Sequence, residues 1–145
     1  MKVAAVSISA EKGVKKKPVP SGELVAGHGL LGDAHADGTH RQLSLLDMAS
    51  IQKMRAQGAL VNPGDFAENI TTEGICLHEL PVGARLAIGE EILLELTQIG
   101  KECHSGCAIA KQVGSCVMPK EGVFCRILRG GLVKAGDEIR IIDKI

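Results

Sequence analysis

Cys103 lies in Ile99-Gly100-Lys101-Glu102-Cys103-His104-Ser105-Gly106-Cys107, directly after the apolar run Ile92 to Leu96. A cysteine between a strand end and a small glycine-bearing loop is open to a partner, whereas one inside a strand is packed away. Lys101 and His104 flank it and favour the thiolate, the nucleophilic form, while Glu102 opposes them. The residue types point to sulfur chemistry or metal ligation rather than packing. Cysteines 103, 107, 116 and 125 are separated by three, eight and eight residues. The first pair has the spacing of a zinc knuckle, and the second pair does not. Cys125 sits in an apolar strand, and Cys76, between Ile75 and Leu77, reads as core filler.

A second polar concentration runs from Gly27 to Arg41, with four glycines, three histidines and two aspartates in fifteen residues. A hydrophobic core needs none of these. His28, His35 and His40 have no helical or strand register and form no metal motif. Arg41 stands at a strand start, where a guanidinium can fork onto a phosphate or carboxylate. Gly27-His28-Gly29-Leu30-Leu31-Gly32 matches the letters of a dinucleotide fingerprint. The fingerprint fails because Asp33 to Gly38 follows the third glycine where a helix is required. His78 reads as a surface residue with no partner in sequence. Glu68 and Asn69 are polar residues that the strand pattern does not explain.

The elements that position these residues are mostly strands. At 145 residues the chain is one domain, 1–145, able to bury roughly 70% of its unfolded surface. Phe66 and Phe124 are its only aromatics, so the core is aliphatic, and eighteen glycines imply many tight turns. Strands are expected from Met1 to Ala10, at Glu23-Leu24-Val25, from Gln42 to Leu46, at the end of Phe66 to Thr72, and over Gly83 to Gly89. Further strands are expected over Ile92 to Thr97, Gly122 to Leu128 and Gly136 to Ile142. Asp47 caps a helix running to about Gln57, and Ala108 to Val113 forms a second short one. Glu11 to Pro20, with four lysines and two prolines, reads as an extended mobile loop. Gly89-Glu90-Glu91 and Gly130-Gly131 read as turns. The Gly136 strand echoes the Gly83 strand without amounting to a repeat. The expected fold is a mostly β, barrel-like domain with one or two short helices.

Seventeen basic and seventeen acidic side chains cancel, so no global field draws nucleic acid, and no aromatic platform exists for single strands. No run of 18 apolar residues predicts a membrane helix. An odd set of five cysteines, without a convincing secretion signal, places reduced thiols in the cytoplasm.

Taken together these blocks resemble the MOSC domain family, named after the C-terminal domain of molybdenum-cofactor sulfurase. The resemblance rests on Gly29 to His35, Arg41 to Leu46, Gly64 to Ile70, Leu80 to Gly89, Cys103, and Gly122 to Leu128 with Gly136 to Ile139. Their order and spacing carry it, and it is to the short stand-alone bacterial type. Many members have proline before the key cysteine, where this chain has Glu102. The resemblance implies a β-barrel-like fold and a sulfur-carrier or molybdenum-cofactor-binding role. Cys103 would accept sulfane sulfur as a persulfide. Asp33, His35, Arg41, Ser44 and Asn69 carry over as residues around molybdopterin, with Arg41 on its phosphate and Lys15 to Lys17 adding steering. A cysteine desulfurase is the implied donor, and molybdenum-cofactor biosynthesis proteins or molybdoenzymes are the implied recipients. Pyridoxal phosphate belongs to the family's desulfurase-fused members and is not expected in this domain alone. Two alternatives stand beside this reading. One is a molybdenum-dependent reductase of N-hydroxylated compounds, with Cys103 ligating the metal. The other is a non-catalytic module stabilised by zinc.

Overall fold

The computed structural model describes residues 1–9, 16–33, 42–100 and 121–143. The described strands, in chain order, begin with β1 (Lys2–Ile8), β2 (Lys17–Val19), β3 (Ser21–Val25), β4 (Gly29–Leu30) and β5 (Leu43–Asp47). Helix α1 (Met48–Ala56) follows, then β6 (Ile70–Glu73), a 3-10 turn at Leu77–Glu79, β7 (Arg85–Ile88) and β8 (Ile92–Ile99). The chain closes with β9 (Val123–Arg129), β10 (Gly131–Lys134) and β11 (Ile139–Asp143).

Eight strands form one sheet in the order β11-β7-β8-β9-β5-β6-β1-β2, and β10-β3-β4 form a second. The large sheet curls until the start of β11 comes beside the start of β1, the next-to-last strand in the order. Lys2 bridges Glu138, Val3 N donates to Asp137 O at 2.8 Å, and Ile139 N donates to Met1 O at 2.9 Å. The barrel-like reading of the sequence is thus realised by a sheet pinned near its ends rather than fully laced. The two strands that echo each other in sequence, β7 and β11, are antiparallel neighbours.

Alternation along the strands divides the apolar residues between two cores. Leu43, Leu45, Ile70, Leu94, Leu96, Val123, Cys125 and Ile127 belong to the main core inside the curled sheet. Leu46 and Phe124 belong to the second, beneath α1, where they meet Ile51, Met54 and Phe66. Asp47 makes this junction. Its carboxylate caps α1 through Ala49 N at 3.1 Å and also accepts from Thr72 Oγ1 at 2.7 Å and Ile75 N at 3.2 Å.

Two expectations are corrected here. Lys16 and Lys17 do not lie in a solvated loop: Lys17 opens β2, which pairs with β1, and Lys16 is buried. Gly130-Gly131, read as a turn, is instead a crossing in which Gly131 already opens β10. β10 leaves β9 and pairs with β3 in the other sheet. A Cβ on Gly130 would fall on the Leu24 carbonyl, so the crossing needs glycine. The short helix expected at Ala108 to Val113 lies outside the described residues.

Candidate functional site

The expected site residues fall into three groups. Cys103, His35 and Arg41 lie outside the described residues, as do Lys15, Cys107 and Cys116. Asp33 is buried and faces Lys16, whose Nζ donates to Asp33 Oδ1 at 2.8 Å, and the same oxygen accepts from Ser9 N at 3.0 Å. Ser44 and Asn69 are brought together. Asn69 Oδ1 accepts from Ser44 N at 3.1 Å and lies 3.2 Å from Ser44 Oγ. In return Asn69 N donates to Ser44 O at 3.0 Å, and Asn69 Nδ2 donates to Ser7 O at 3.4 Å. One asparagine therefore fastens β5 to β1 at the point where β6 begins.

Register places this pair relative to the segment that carries Cys103. Ser44 stands opposite Phe124 on β9, and Phe124 stands opposite Gln98 on β8. Gln98, Phe124, Ser44 and Asn69 form one row across four neighbouring chain segments. Two residues past Gln98, Gly100 N donates to Gly122 O at 2.6 Å, and Gln98 Nε2 donates to Gly100 O at 2.8 Å. The chain leaves and re-enters the sheet at this clasp, and Cys103 follows Gly100 by three residues. Arg41 adjoins Gln42, whose buried Oε1 accepts from Ile127 N at 3.0 Å.

The two described cysteines differ. Cys125 is fully buried in the main core, as its apolar strand implies, and burial with the nearby Glu95 charge pushes its thiol up to about 12. Cys76 is not core filler: it is exposed. Ile75 and Leu77 both point inward, so the residue between them must point out. Desolvation raises its thiol above the ordinary range, and Glu79, Asp47 and Glu121 add to that. His78 is half-buried and has a neighbour after all, its Nε2 lying 4.0 Å from Cys76 Sγ.

Glu68, the other unexplained polar residue, is fully buried. Thr71 Oγ1 donates to its Oε2 at 2.8 Å, while Oε1 and the nearby Ser7 Oγ have no hydrogen-bond partner among the described residues. Burial pushes the Glu68 carboxyl above the usual carboxylate range, outweighing the hydrogen bonds it receives.

Sequence reading missed Lys16 and the Cys76–His78 neighbourhood. Lys16 gave no signal, because a lysine run reads as solvated until one member finds a buried aspartate. Cys76-Leu77-His78-Glu79 did carry one, in three ligand-type side chains within four residues.

A molybdopterin phosphate needs cationic or N–H donors. The described members of the expected set offer an aspartate paired with lysine and a serine–asparagine pair bonded to each other and to backbone. These do not fit as a phosphate cradle.

No curated protein matches the chain. Among solved structures it is similar to the YUAD protein from Bacillus subtilis, with TM-score 0.80 and 20% identity over 95% of this chain and 93% of that one. It is also similar to YiiM from Escherichia coli, with TM-score 0.67 and 18% identity over 100% of this chain and 71% of that one. YiiM from Geobacillus stearothermophilus gives 0.68 and 18%, over 97% and 75%. These likenesses establish a shared fold. The MOSC domain model matches residues 32–140, from the turn after β4 into β11 and through every block on which the resemblance rests except Gly29 to Leu31. The chain belongs to the MOSC domain family.

Proposed function

We propose that this chain is a sulfur carrier of molybdenum-cofactor metabolism, with Cys103 accepting and passing on sulfane sulfur. The MOSC family is linked to the molybdenum cofactor. The observation that carries the finer reading is the Gly100–Gly122 clasp. It holds Gly100, three residues before Cys103 in sequence, on the sheet two residues past Gln98 in the row that includes Ser44 and Asn69, which supports a reading with Cys103 near that row. The state of the two described cysteines supports it too. Both are held as thiols, Cys125 by burial and Cys76 by desolvation and negative neighbours, and neither is a good nucleophile.

In the proposed step the Cys103 thiolate attacks the outer sulfur of a donor persulfide. The donor's S–S bond breaks, its thiolate leaves, and Cys103 carries the –SSH group, with no net oxidant or reductant consumed. A cysteine desulfurase in the cytoplasm is the donor of matching chemistry. Molybdenum-cofactor biosynthesis proteins or molybdoenzymes are the recipients. Arg41 and His35 would face the anionic end of such a partner or its cofactor.

The test is intact-mass analysis after incubation with cysteine and a desulfurase. The expected result is a gain of one sulfur, about 32 Da, that a reductant removes. Cys103→Ser protein should show no gain. Loading that persists at the same rate in Cys103→Ser overturns the proposal.

A further inference from the structure

Cys76, His78 and Glu79 leave the sheet together on the 3-10 turn after β6. Cys76 Sγ, a ring nitrogen of His78 and a Glu79 carboxylate oxygen all lie within 4.8 Å of one another. We infer that this turn is a metal site for a borderline divalent cation, zinc being the best match, built from Cys76, His78 and Glu79.

The geometry supports this in three ways. First, the atoms are at nearly the spacing a shared ion imposes. Zinc takes sulfur at about 2.3 Å and imidazole nitrogen at about 2.0–2.1 Å, and tetrahedral angles then set sulfur and nitrogen about 3.6 Å apart. The observed Sγ to Nε2 distance is 4.0 Å, so small side-chain rotations bring both onto one ion. Second, the donor set is mixed. Thiolate with imidazole and carboxylate suits zinc and disfavours magnesium or calcium, which take oxygen alone. Third, the turn is held from behind. Leu77 is buried, Ile75 N is bonded to the Asp47 carboxylate, and Leu80 N closes the turn on Leu77 O at 3.1 Å. The backbone is fixed while the three donors face outward.

Three protein ligands leave a fourth position open, the arrangement that accepts water or a small ligand. Cys76 and His78 border a cleft of about 370 Å³ that also includes Asp47, Ser50, Lys53 and Glu121. Glu121 is tied there by Ser50 Oγ at 2.6 Å and by Lys53 Nζ at 3.0 Å. Binding converts the Cys76 thiol to thiolate and releases its proton to solvent, with no change in oxidation state.

The experiment is a cobalt(II) titration of the reduced full chain, followed by zinc competition. A saturable one-to-one band from thiolate-to-cobalt charge transfer is expected, displaced by zinc. Cys76→Ser should lose the band. His78→Ala and Glu79→Gln should each weaken zinc binding at least about tenfold. Cys103→Ser and Cys107→Ser should keep the band, which separates this site from the sulfur-carrier reading. Far-UV circular dichroism should be unchanged in all variants, since Cys76 and Glu79 are exposed. A band retained in Cys76→Ser, or no saturable band in the wild-type chain, overturns the inference.

Discussion

Lys16 Nζ and Asp33 Oδ1 stand 2.8 Å apart with side chains that are 0% and 1% exposed. The pair joins the end of β1, through Ser9 N, to the turn after β4, and Lys16 N is itself held by Gly64 O at 2.8 Å. Breaking one member of a buried pair strands the other charge, which costs about 3–5 kcal/mol. Asp33→Asn and Lys16→Met should therefore each lower stability on that scale in denaturant unfolding. The double variant Lys16→Met with Asp33→Leu should be less destabilised than the sum of the singles, because no charge is left buried. Full additivity in that cycle would mean the two side chains do not act as a pair.

Asn69 offers a similar test with neutral groups. Its amide accepts from Ser44 N and donates to Ser7 O, and the residue is completely buried. Asn69→Ala leaves a backbone N–H and a carbonyl without partners, a cost on the order of 3 kcal/mol. Thermal unfolding should report a clear loss. A change below about 0.5 kcal/mol would mean that Asn69 has little structural work, and would move it toward ligand binding.

The contrast between these residues and Cys103 explains what the sequence made legible. Strands β7, β8, β9 and β11 were readable because alternation and glycine turns are local. The Asp47 cap was readable for the same reason. The partners of Asp33, Ser44 and Asn69 are 17 to 62 residues away, at Lys16, at one another and at Ser7. Nothing in local spacing announces such pairings, so these residues read as polar surplus and were assigned to a pocket by family resemblance. Cys76 reads as core because Ile75 and Leu77 beside it are apolar, whereas only those two are buried where the chain enters the 3-10 turn.

Glu68 gives a pH prediction. Its carboxyl is raised in the folded protein above the usual carboxylate range, because burial penalises the charged form. Between the unfolded and folded values the native state holds more protons than the unfolded state, so stability falls as pH rises through that window. The favourable contribution is fully present below the unfolded value and is lost above the folded one. Glu68→Gln mimics the protonated acid and keeps an acceptor for Thr71 Oγ1. Its melting temperature should gain on the wild type as pH rises through the window, then run parallel. A constant offset at all pH values would show that Glu68 does not titrate with folding.

The five cysteines should label at rates that the fold sets. Cys125 lies in β9 with 0% exposure and a thiol pushed up to about 12. At neutral pH such a thiol is ionised to only about one part in 10⁵, against about 3% for an unperturbed one near 8.5. Ionisation alone thus separates it from an ordinary thiol by more than about 1,000-fold, before any barrier to reagent entry. Cys76 is exposed, so entry is open, but its raised thiol should slow it below an unperturbed cysteine. Cys103, flanked by Lys101 and His104, should lead. Brief alkylation at neutral pH followed by peptide mapping should therefore rank Cys103 first and Cys76 behind it, with Cys125 modified only after denaturation. Adding zinc should protect Cys76 and leave Cys103 unaffected. Native labelling of Cys125 at the rate of Cys76 would mean that β9 opens readily, against its pairing with both β5 and β8. If Cys76 outpaces Cys103, the reactive sulfur of this chain lies on the turn after β6, and the carrier reading fails at its central residue.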